Sequence, residues 1–186
     1  RAERRISDDA AQALLRCVLL CVTDPEAAYK KIDFFTQTLK VNVRTLLICG
    51  ENITDDVVKH LTIKCPRIWS FQLCDDGHDL TDAAAVYLSR CKEIQQVRLR
   101  GCRKLTDSVT AQLSRCAQLR ILHLSSCDQL TDAAALHLSK CQKLELVSLL
   151  QCTKLTDATV EQLSKCSRLQ CVLLGSNGLV DVPESN

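Results

Sequence analysis

The chain has 186 residues, of which 46% are hydrophobic, 3% aromatic and 25% charged, and its formal net charge is +2. A protein of this size can form one domain or a short array of repeats, and its core must be built from aliphatic side chains. The nearly balanced charge differs from the strongly basic composition of dedicated nucleic-acid-binding proteins. No apolar stretch approaches the roughly 18 residues that a membrane-spanning helix needs. We therefore expect no nucleic-acid partner and no membrane span.

Thirteen cysteines raise the question of disulfides or metal sites. Their number is odd and no CxxC motif occurs, so neither a complete disulfide framework nor a zinc site is indicated. We expect free thiols in a reducing, intracellular compartment, the cytoplasm or the nucleus, with the mitochondrion as the alternative. No metal ion and no cofactor are expected.

The first 42 residues carry no repeat and are predicted to form an N-terminal helical cap. Apolar residues in SDDAAQALLRCVLLCV at 7–22 recur with the spacing of an amphipathic helix. A second helix is predicted in TDPEAAYKKIDFFTQTL, where Thr23 and Glu26 form a capping box and Pro25 lies just inside the helix. Two such helices would cover the open end of the repeats that follow.

Residues 43–175 contain about five to six copies of one unit. The triplet Leu-Thr-Asp begins at Leu80, Leu105, Leu130 and Leu155, which are 25 residues apart. A series of cysteines keeps nearly the same step: Cys65, Cys91, Cys116, Cys141 and Cys166. Between the two series, the pattern L-x-x-L-x-L alternates as a β-strand does, whereas the stretch after each aspartate has helical spacing. The sequence therefore predicts six strands joined by five strand-to-helix connections.

Helix capping explains the repeated polar residues. The threonine of each triplet is predicted to cap a helix, and the aspartate to face the positive end of the helix dipole. The basic residue before each cysteine of the series is expected at the helix C-terminus; these are Lys64, Arg90, Arg115, Lys140 and Lys165. A further set, Cys102, Cys127 and Cys152, is expected to point inward as small apolar side chains. Residues one repeat apart form a line, so neither set suits tetrahedral zinc.

This unit resembles the leucine-rich repeat, in particular its cysteine-containing subfamily, whose unit reads LxxLxLxxCxxLTDxxxxxLxxC. The segment LRILHLSSCDQLTDAAALHLSKC at 119–141 matches it at nearly every letter. The resemblance implies an α/β fold, a curved solenoid with parallel strands on its concave face and helices on its convex face. Spacing agrees, because strands stack about 4.8 Å apart and helices need about 8–10 Å.

Alternation places the side chains between the strand leucines on the concave face, and with their neighbours they form the predicted partner-binding set. This set is Trp69, Gln72, Cys74, Gln96, Arg98, Arg100, Ile121, His123, Leu146, Ser148, Leu150 and Leu173. Two arginines on one strand suit a carboxylate or a phosphate. Exposed aliphatic residues on the same surface favour a protein partner. No nucleophile and base share a recognisable motif, so no catalytic residue and no enzyme activity are expected.

Two loops break the period of the repeats. From the last strand residue to the next triplet there are six residues in three repeats, but five in CGENI and seven in CDDGHDL. The acidic loop at 74–79 is thus either functional or a neutral insertion. Residues 176–186 are predicted to form a tail that includes a short closing strand.

Two functions are open. The family resemblance implies the substrate-recognition part of an F-box-type ubiquitin ligase, or a related adaptor, with ligase components among its partners. The alternative is a structural or assembly subunit of a large complex, such as the leucine-rich-repeat factor associated with mitochondrial ATP synthase. An F-box upstream of Arg1 would favour the first, and an Arg- and Ser-rich leader the second.

Overall fold

The computed structural model describes residues 17–21, 24–50, 53–75, 79–175 and 178–180. In these ranges, strands and helices alternate along the chain except at its end, where two strands follow each other. The strands are β1 (Cys17–Cys21), β2 (Thr45–Cys49), β3 (Ser70–Leu73), β4 (Gln96–Arg98), β5 (Ile121–His123), β6 (Leu146–Ser148), β7 (Cys171–Leu174) and β8 (Gly178–Val180). The helices are α1 (Pro25–Asp33), α2 (Asp55–Lys64), α3 (Asp82–Leu88), α4 (Asp107–Leu113), α5 (Asp132–Leu138) and α6 (Asp157–Leu163).

The described strands form one open sheet in sequence order, with β1 and β8 at opposite edges. Each strand from β1 to β7 pairs in parallel with the next, and β8 pairs with β7 in the antiparallel direction. Equivalent residues of successive repeats lie opposite one another, as Val97, Leu122 and Val147 show. Neighbouring helices also contact each other in chain order. The molecule is therefore a solenoid-like α/β repeat, and the predicted closing strand is confirmed.

The aliphatic core lies between the sheet and the helices. Each repeat contributes the alternate residues of its strand and one face of its helix, and the apolar residues in these positions are almost all fully buried. Leu122 and Leu124 illustrate the strand contribution, and Leu138 the helix contribution, each with no exposed surface. A single repeat cannot bury these residues alone, so the core is shared between neighbours.

Both sets of cysteines point into this core, as predicted. The Sγ atom of Cys152 donates to the backbone oxygen of Leu124 at 3.1 Å, and that of Cys166 to the oxygen of Leu138 at 3.5 Å. These thiols thus connect their own repeat to the one before it. Burial, and to a lesser degree neighbouring thiols, raise the pKa of Cys116 to about 12. Among the described residues, no group of three or more potential ligands is arranged to hold a metal ion.

The threonine caps are confirmed in four repeats. Thr81, Thr106, Thr131 and Thr156 each accept a bond, at 3.3 Å, from the backbone N–H two residues on. Thr54 makes no such bond.

The aspartates have a second role that capping did not predict. The carboxylate of Asp107 accepts from the backbone N–H of Thr131 at 2.8 Å and from its hydroxyl at 2.7 Å. The same pair of bonds joins Asp55 to Thr81, Asp82 to Thr106 and Asp132 to Thr156. Each of these four aspartates therefore links its own helix to the helix start of the next repeat.

The helix predicted at 7–22 is wrong over Cys17–Cys21, which form strand β1; residues 1–16 lie outside the described ranges. The second predicted helix is present as α1 with Pro25 at its first position. Its cap is Asp24, which accepts from the N–H of Ala27 at 2.8 Å. A π-helical segment, Phe34–Thr38, continues it.

The basic residues predicted at the helix C-termini lie within the last helical turn in one helix and directly after the C-cap in the other four. Lys64 is in the last turn of α2 and pairs with Asp33 at 3.0 Å. In α3 to α6 the helix ends at a serine cap, one residue before the basic residue. In one of them the guanidinium of Arg90 lies over the Tyr87 ring instead, 5.4 Å from its centroid. No helix in the described part of the chain is both long and apolar enough to cross a membrane.

Candidate functional site

The strand side chains that point away from the helices form one surface, here called the open face. Strand register arranges them in rows across the sheet. The first row contains Ser70, Gln96, Ile121, Leu146 and Cys171. The second row contains Gln72, Arg98, His123, Ser148 and Leu173. The structure therefore brings most of the predicted partner-binding residues together on one surface.

A cavity of about 280 Å³ opens on this face between β4 and β7, here called the arginine pocket. Its lining residues are Arg98, Arg100, His123, Ser125, Ser148, Leu150, Gln151 and Leu173. Six of them belong to the predicted set, and Ser125 and Gln151 complete the lining. Two guanidinium groups and no carboxylate are among these described residues, so the electrostatic character of the pocket is positive.

Arg98 and His123 form the centre of the arginine pocket. Burial first, and the positive charge of Arg98 second, lower the pKa of His123 to about 4, so its ring is neutral at neutral pH. Nη2 of Arg98 lies 3.5 Å from Nε2 of His123. Because a guanidinium only donates, Nε2 accepts and the ring proton lies on Nδ1. The Nε atom of Arg98 is buried and has no hydrogen-bond partner within the described residues.

Two serines form the floor of this pocket. The hydroxyls of Ser125 and Ser148 lie 2.9 Å apart and share a hydrogen bond. Ser148 was expected on the partner-binding surface, but only 1% of it is exposed. Neighbours in adjacent strands cover it, so it supports the pocket from below.

A second cavity, of about 270 Å³, lies where β3, β4 and β5 begin, and is here called the tryptophan pocket. Its lining residues are Trp69, Ser70, Gln95, Gln96, Arg120, Ile121 and Glu145. Nε1 of Trp69 donates to the Thr45 hydroxyl at 2.7 Å, which fixes the indole, while 47% of the residue stays exposed. The pocket therefore presents a rigid aromatic surface beside polar groups.

The aliphatic residues that were predicted to form an exposed patch on this face are less exposed than expected. Ile121, Leu146, Leu150 and Leu173 are on the open face but are only half-exposed. Strands about 4.8 Å apart place these side chains in contact across the rows, so they cover one another. Among the residues whose burial the structure describes, the exposed large hydrophobics are Phe34, Leu39, Ile63, Trp69 and Leu136, of which Trp69 borders the open face.

The remaining predicted residues, Gln72, Cys74 and Leu146, line neither pocket. Nε2 of Gln72 donates to the Ser70 hydroxyl at 2.9 Å. Cys74 follows β3 and is exposed. In the irregular loop after it, Asp75 accepts from the N–H of Gly50 at 2.7 Å and Asp79 pairs with Lys104. Residues 76–78 of this loop lie outside the described ranges, so its predicted role stays a prediction.

The ion pair between Arg120 and Glu145, at the edge of the tryptophan pocket, was not predicted from the sequence. The guanidinium of Arg120 donates to Glu145 at 2.7 Å across neighbouring repeats. Both residues directly precede a strand, and they are 25 positions apart. Opposite charges at equivalent positions of adjacent repeats were the available signal, because the parallel register places such residues side by side.

No protein-family model matches this chain, and no curated protein matches it. Among solved structures, the chain is similar to one described as the crystal structure of the Rad7 and Elc1 complex in yeast. The identity is 15% and the TM-score 0.36, and the match covers 89% of this chain and 65% of that chain. This chain thus spans less than two thirds of that structure, and a similarity this low supports no conclusion on function.

Proposed function

We propose that this chain is a leucine-rich-repeat protein whose open face is the concave side of a curved solenoid and binds another protein. The observation that carries the proposal is the presence of two pockets on one face of the sheet. One pocket is lined by two arginines, and the other by a half-exposed tryptophan that a hydrogen bond to Thr45 holds in place. Tryptophan and arginine are the residues most enriched at energetically important positions of protein interfaces. The helix-covered side offers single exposed residues such as Leu136 instead.

The proposed role is non-enzymatic. A general base must accept a proton from a nucleophile within hydrogen-bond distance. His123 is neutral, and its Nε2 accepts from Arg98 rather than from a hydroxyl or a thiol. The most polar part of the open face is therefore arranged for recognition.

For the cellular role, we propose a substrate-recognition arm of an F-box-type ubiquitin ligase or a related adaptor. The repeat unit itself, with its resemblance to the cysteine-containing leucine-rich repeats of such receptors, supports this assignment. Buried free thiols in two rows suit the reducing cytoplasm or nucleus, where such ligases act. Co-purification of cullin-ligase components with the natural full-length protein would support this role, and their absence from a partner complex would contradict it.

Affinity capture with matched variants tests the binding surface. Leu146→Glu places a charge in the first row of the open face, whereas Leu136→Glu places the same charge on α5, where Leu136 is 50% exposed. We expect the open-face variant to lose the captured partners by quantitative mass spectrometry and the helix variant to keep them. Loss of the partners only in the Leu136→Glu protein would contradict the proposal; thermal melts of both proteins verify folding.

A further inference from the structure

We propose that the arginine pocket binds a carboxylate of an acidic peptide segment in the partner, and that an apolar side chain of the same segment enters the tryptophan pocket. This inference rests on the proposed function and names the chemistry of the partner. Three observations support it: an unsatisfied hydrogen-bond donor on Arg98, the positive charge of the residues that line the arginine pocket, and the short distance between the two pockets.

The unsatisfied donor is Nε of Arg98, which is buried and without a partner within the described residues. Leaving a buried donor unpaired is unfavourable, so a ligand acceptor at this point is favoured. The Nη2 atom of the same guanidinium already faces His123 at 3.5 Å. The imidazole thereby orients the guanidinium, and Nε becomes accessible to a ligand acceptor when the side chains that cover it move aside.

The lining favours a negatively charged acceptor over a neutral one. Arg98 and Arg100 bring two positive charges to one cavity, and His123 adds none because its ring is neutral. The described lining contains no acidic residue. A charged acceptor forms stronger hydrogen bonds with guanidinium than a neutral carbonyl does.

The apolar walls favour a carboxylate over a phosphate. Leu150 and Leu173 form one side of the pocket. A phosphoryl group carries nearly two charges at neutral pH and is costly to remove from water, whereas a glutamate presents one charge on an aliphatic stem. The stem can pack on the leucines while the carboxylate meets the arginines.

The two pockets are close enough for one extended segment. Ile121 lines the tryptophan pocket and His123 the arginine pocket, two residues apart on β5. Two residues of a strand span about 6.6 Å, which is also the distance between side chains i and i+2 of an extended peptide. One acidic and one apolar side chain at that spacing would fill both sites.

The tryptophan pocket favours peptide over nucleic acid. A tryptophan beside arginines can also stack a base and hold a phosphate. Here, however, Glu145 lines the same pocket and is paired with Arg120, so these two charges cancel and leave no net positive charge in the described lining to hold a phosphate. An apolar side chain needs no such charge and can pack against Trp69 and Ile121.

A randomised twelve-residue peptide library displayed on phage, selected against the full chain, tests the inference. We expect the selected peptides to share an aspartate or glutamate with an aromatic or aliphatic residue two positions away. The affinity of a selected peptide, measured by fluorescence polarisation, should fall about tenfold or more in Arg98→Gln. The affinity should fall by the same factor when the aspartate or glutamate of the peptide is replaced by asparagine or glutamine. The matched control is Arg115→Gln, an exposed arginine after α4, which should bind as the parent does.

A variant that preserves the positive charge separates a loss of binding from a loss of folding. Arg98→Lys keeps the positive charge but lacks the Nε donor, so we expect weakened binding in a protein that melts like the parent. If the Arg98→Lys and Arg98→Gln proteins both bind the peptide as tightly as the parent does, the inference is overturned. A library without binders, or binders without an enriched acid, would do the same.

The other outcomes separate this inference from the proposed function. If peptides without an acid bind and are lost in Trp69→Ala or Leu146→Glu, the open face binds protein and only the carboxylate assignment is wrong. If no open-face variant affects any binder, the proposed function fails as well. Tighter binding of a phosphoserine peptide than of its glutamate counterpart would assign a phosphate site. Competition by a single-stranded oligonucleotide would assign a nucleic-acid site. Either result overturns the proposal.

Discussion

In every repeat of the described chain but the last, the aspartate of the triplet acts on two repeats at once. It opens its own helix, where a negative charge is favoured, and accepts two bonds from the threonine of the next repeat. The first role could be predicted from sequence because it depends on local spacing. The second could not, because its partner lies 24 to 26 residues further along the chain and meets it only after the repeats have stacked.

Removing one of these carboxylates should weaken the stacking of repeats. Asp132 accepts hydrogen bonds from Thr159 and Thr156, and these bonds hold the pKa of its carboxyl group below the usual range. The bond from the Thr159 hydroxyl lowers the pKa most. We expect Asp132→Asn to lower the free energy of unfolding at pH 7 by about 1.5 kcal/mol, measured by urea denaturation. Asp157 has the same place in the last triplet but no described threonine beyond it. Asp157→Asn is therefore the matched control and should cost clearly less.

The same carboxylate predicts a pH dependence. A group whose pKa is lowered by folding stabilises the fold above its unfolded pKa of about 3.9, and this stabilisation is lost as the pH falls through the folded pKa. The difference in stability between the parent and Asp132→Asn should therefore be full at pH 6 and shrink below pH 4. A difference that is constant from pH 6 to pH 3 would show that the carboxylate charge has no part in it.

The cysteines should differ sharply in reactivity. Cys74 is exposed, whereas burial raises the pKa of Cys116 and of Cys141 to about 12. Because the thiolate is the reactive form, iodoacetamide at pH 8 should label Cys74 first and the two buried residues only after unfolding. Peptide mass spectrometry of a labelling time course measures this. Labelling of Cys116 in the native protein at the rate of Cys74 would contradict its burial.

At the scale of elements, strand β1 shows what periodicity cannot decide. Its sequence, CVLLC, lies in register with TLLIC of β2, and Leu20 faces Ile48. A short apolar run fits a buried strand as well as a buried helix, so spacing alone favoured the helix at 7–22. The signal that favoured a strand was the likeness of these two pentapeptides, because Val18 and Leu20 match Leu46 and Ile48.

A core substitution distinguishes the strand from a peripheral helix. Leu20 has no exposed surface, so Leu20→Ala should lower the free energy of unfolding by about 2–4 kcal/mol. Leu39, just after the π-helical segment, is 45% exposed and provides the control. Leu39→Ala should cost about 0.5 kcal/mol or less in the same urea titration. Equal effects of the two substitutions would contradict the place of β1 in the core.

For the whole molecule, the period of 25 residues predicted the order of the strands, their shared face and the inward cysteines. Such properties follow from repetition, since equivalent residues of stacked repeats must lie side by side. The degree of exposure did not follow, because Ser148 and Leu146 are covered by residues of other repeats. The arginine pocket likewise depends on side chains of four strands, so it could be predicted as a surface but not as a cavity.

Site-specific photo-crosslinking in cells tests whether the open face binds a protein. Benzoylphenylalanine is placed at Gln72 or Gln96 on the open face and, as controls, at Ile63 or Leu136, which are 63% and 50% exposed elsewhere. We expect one shared crosslinked protein from both open-face positions and none from the controls. A shared adduct from Ile63 and Leu136, with none from Gln72 and Gln96, would contradict it.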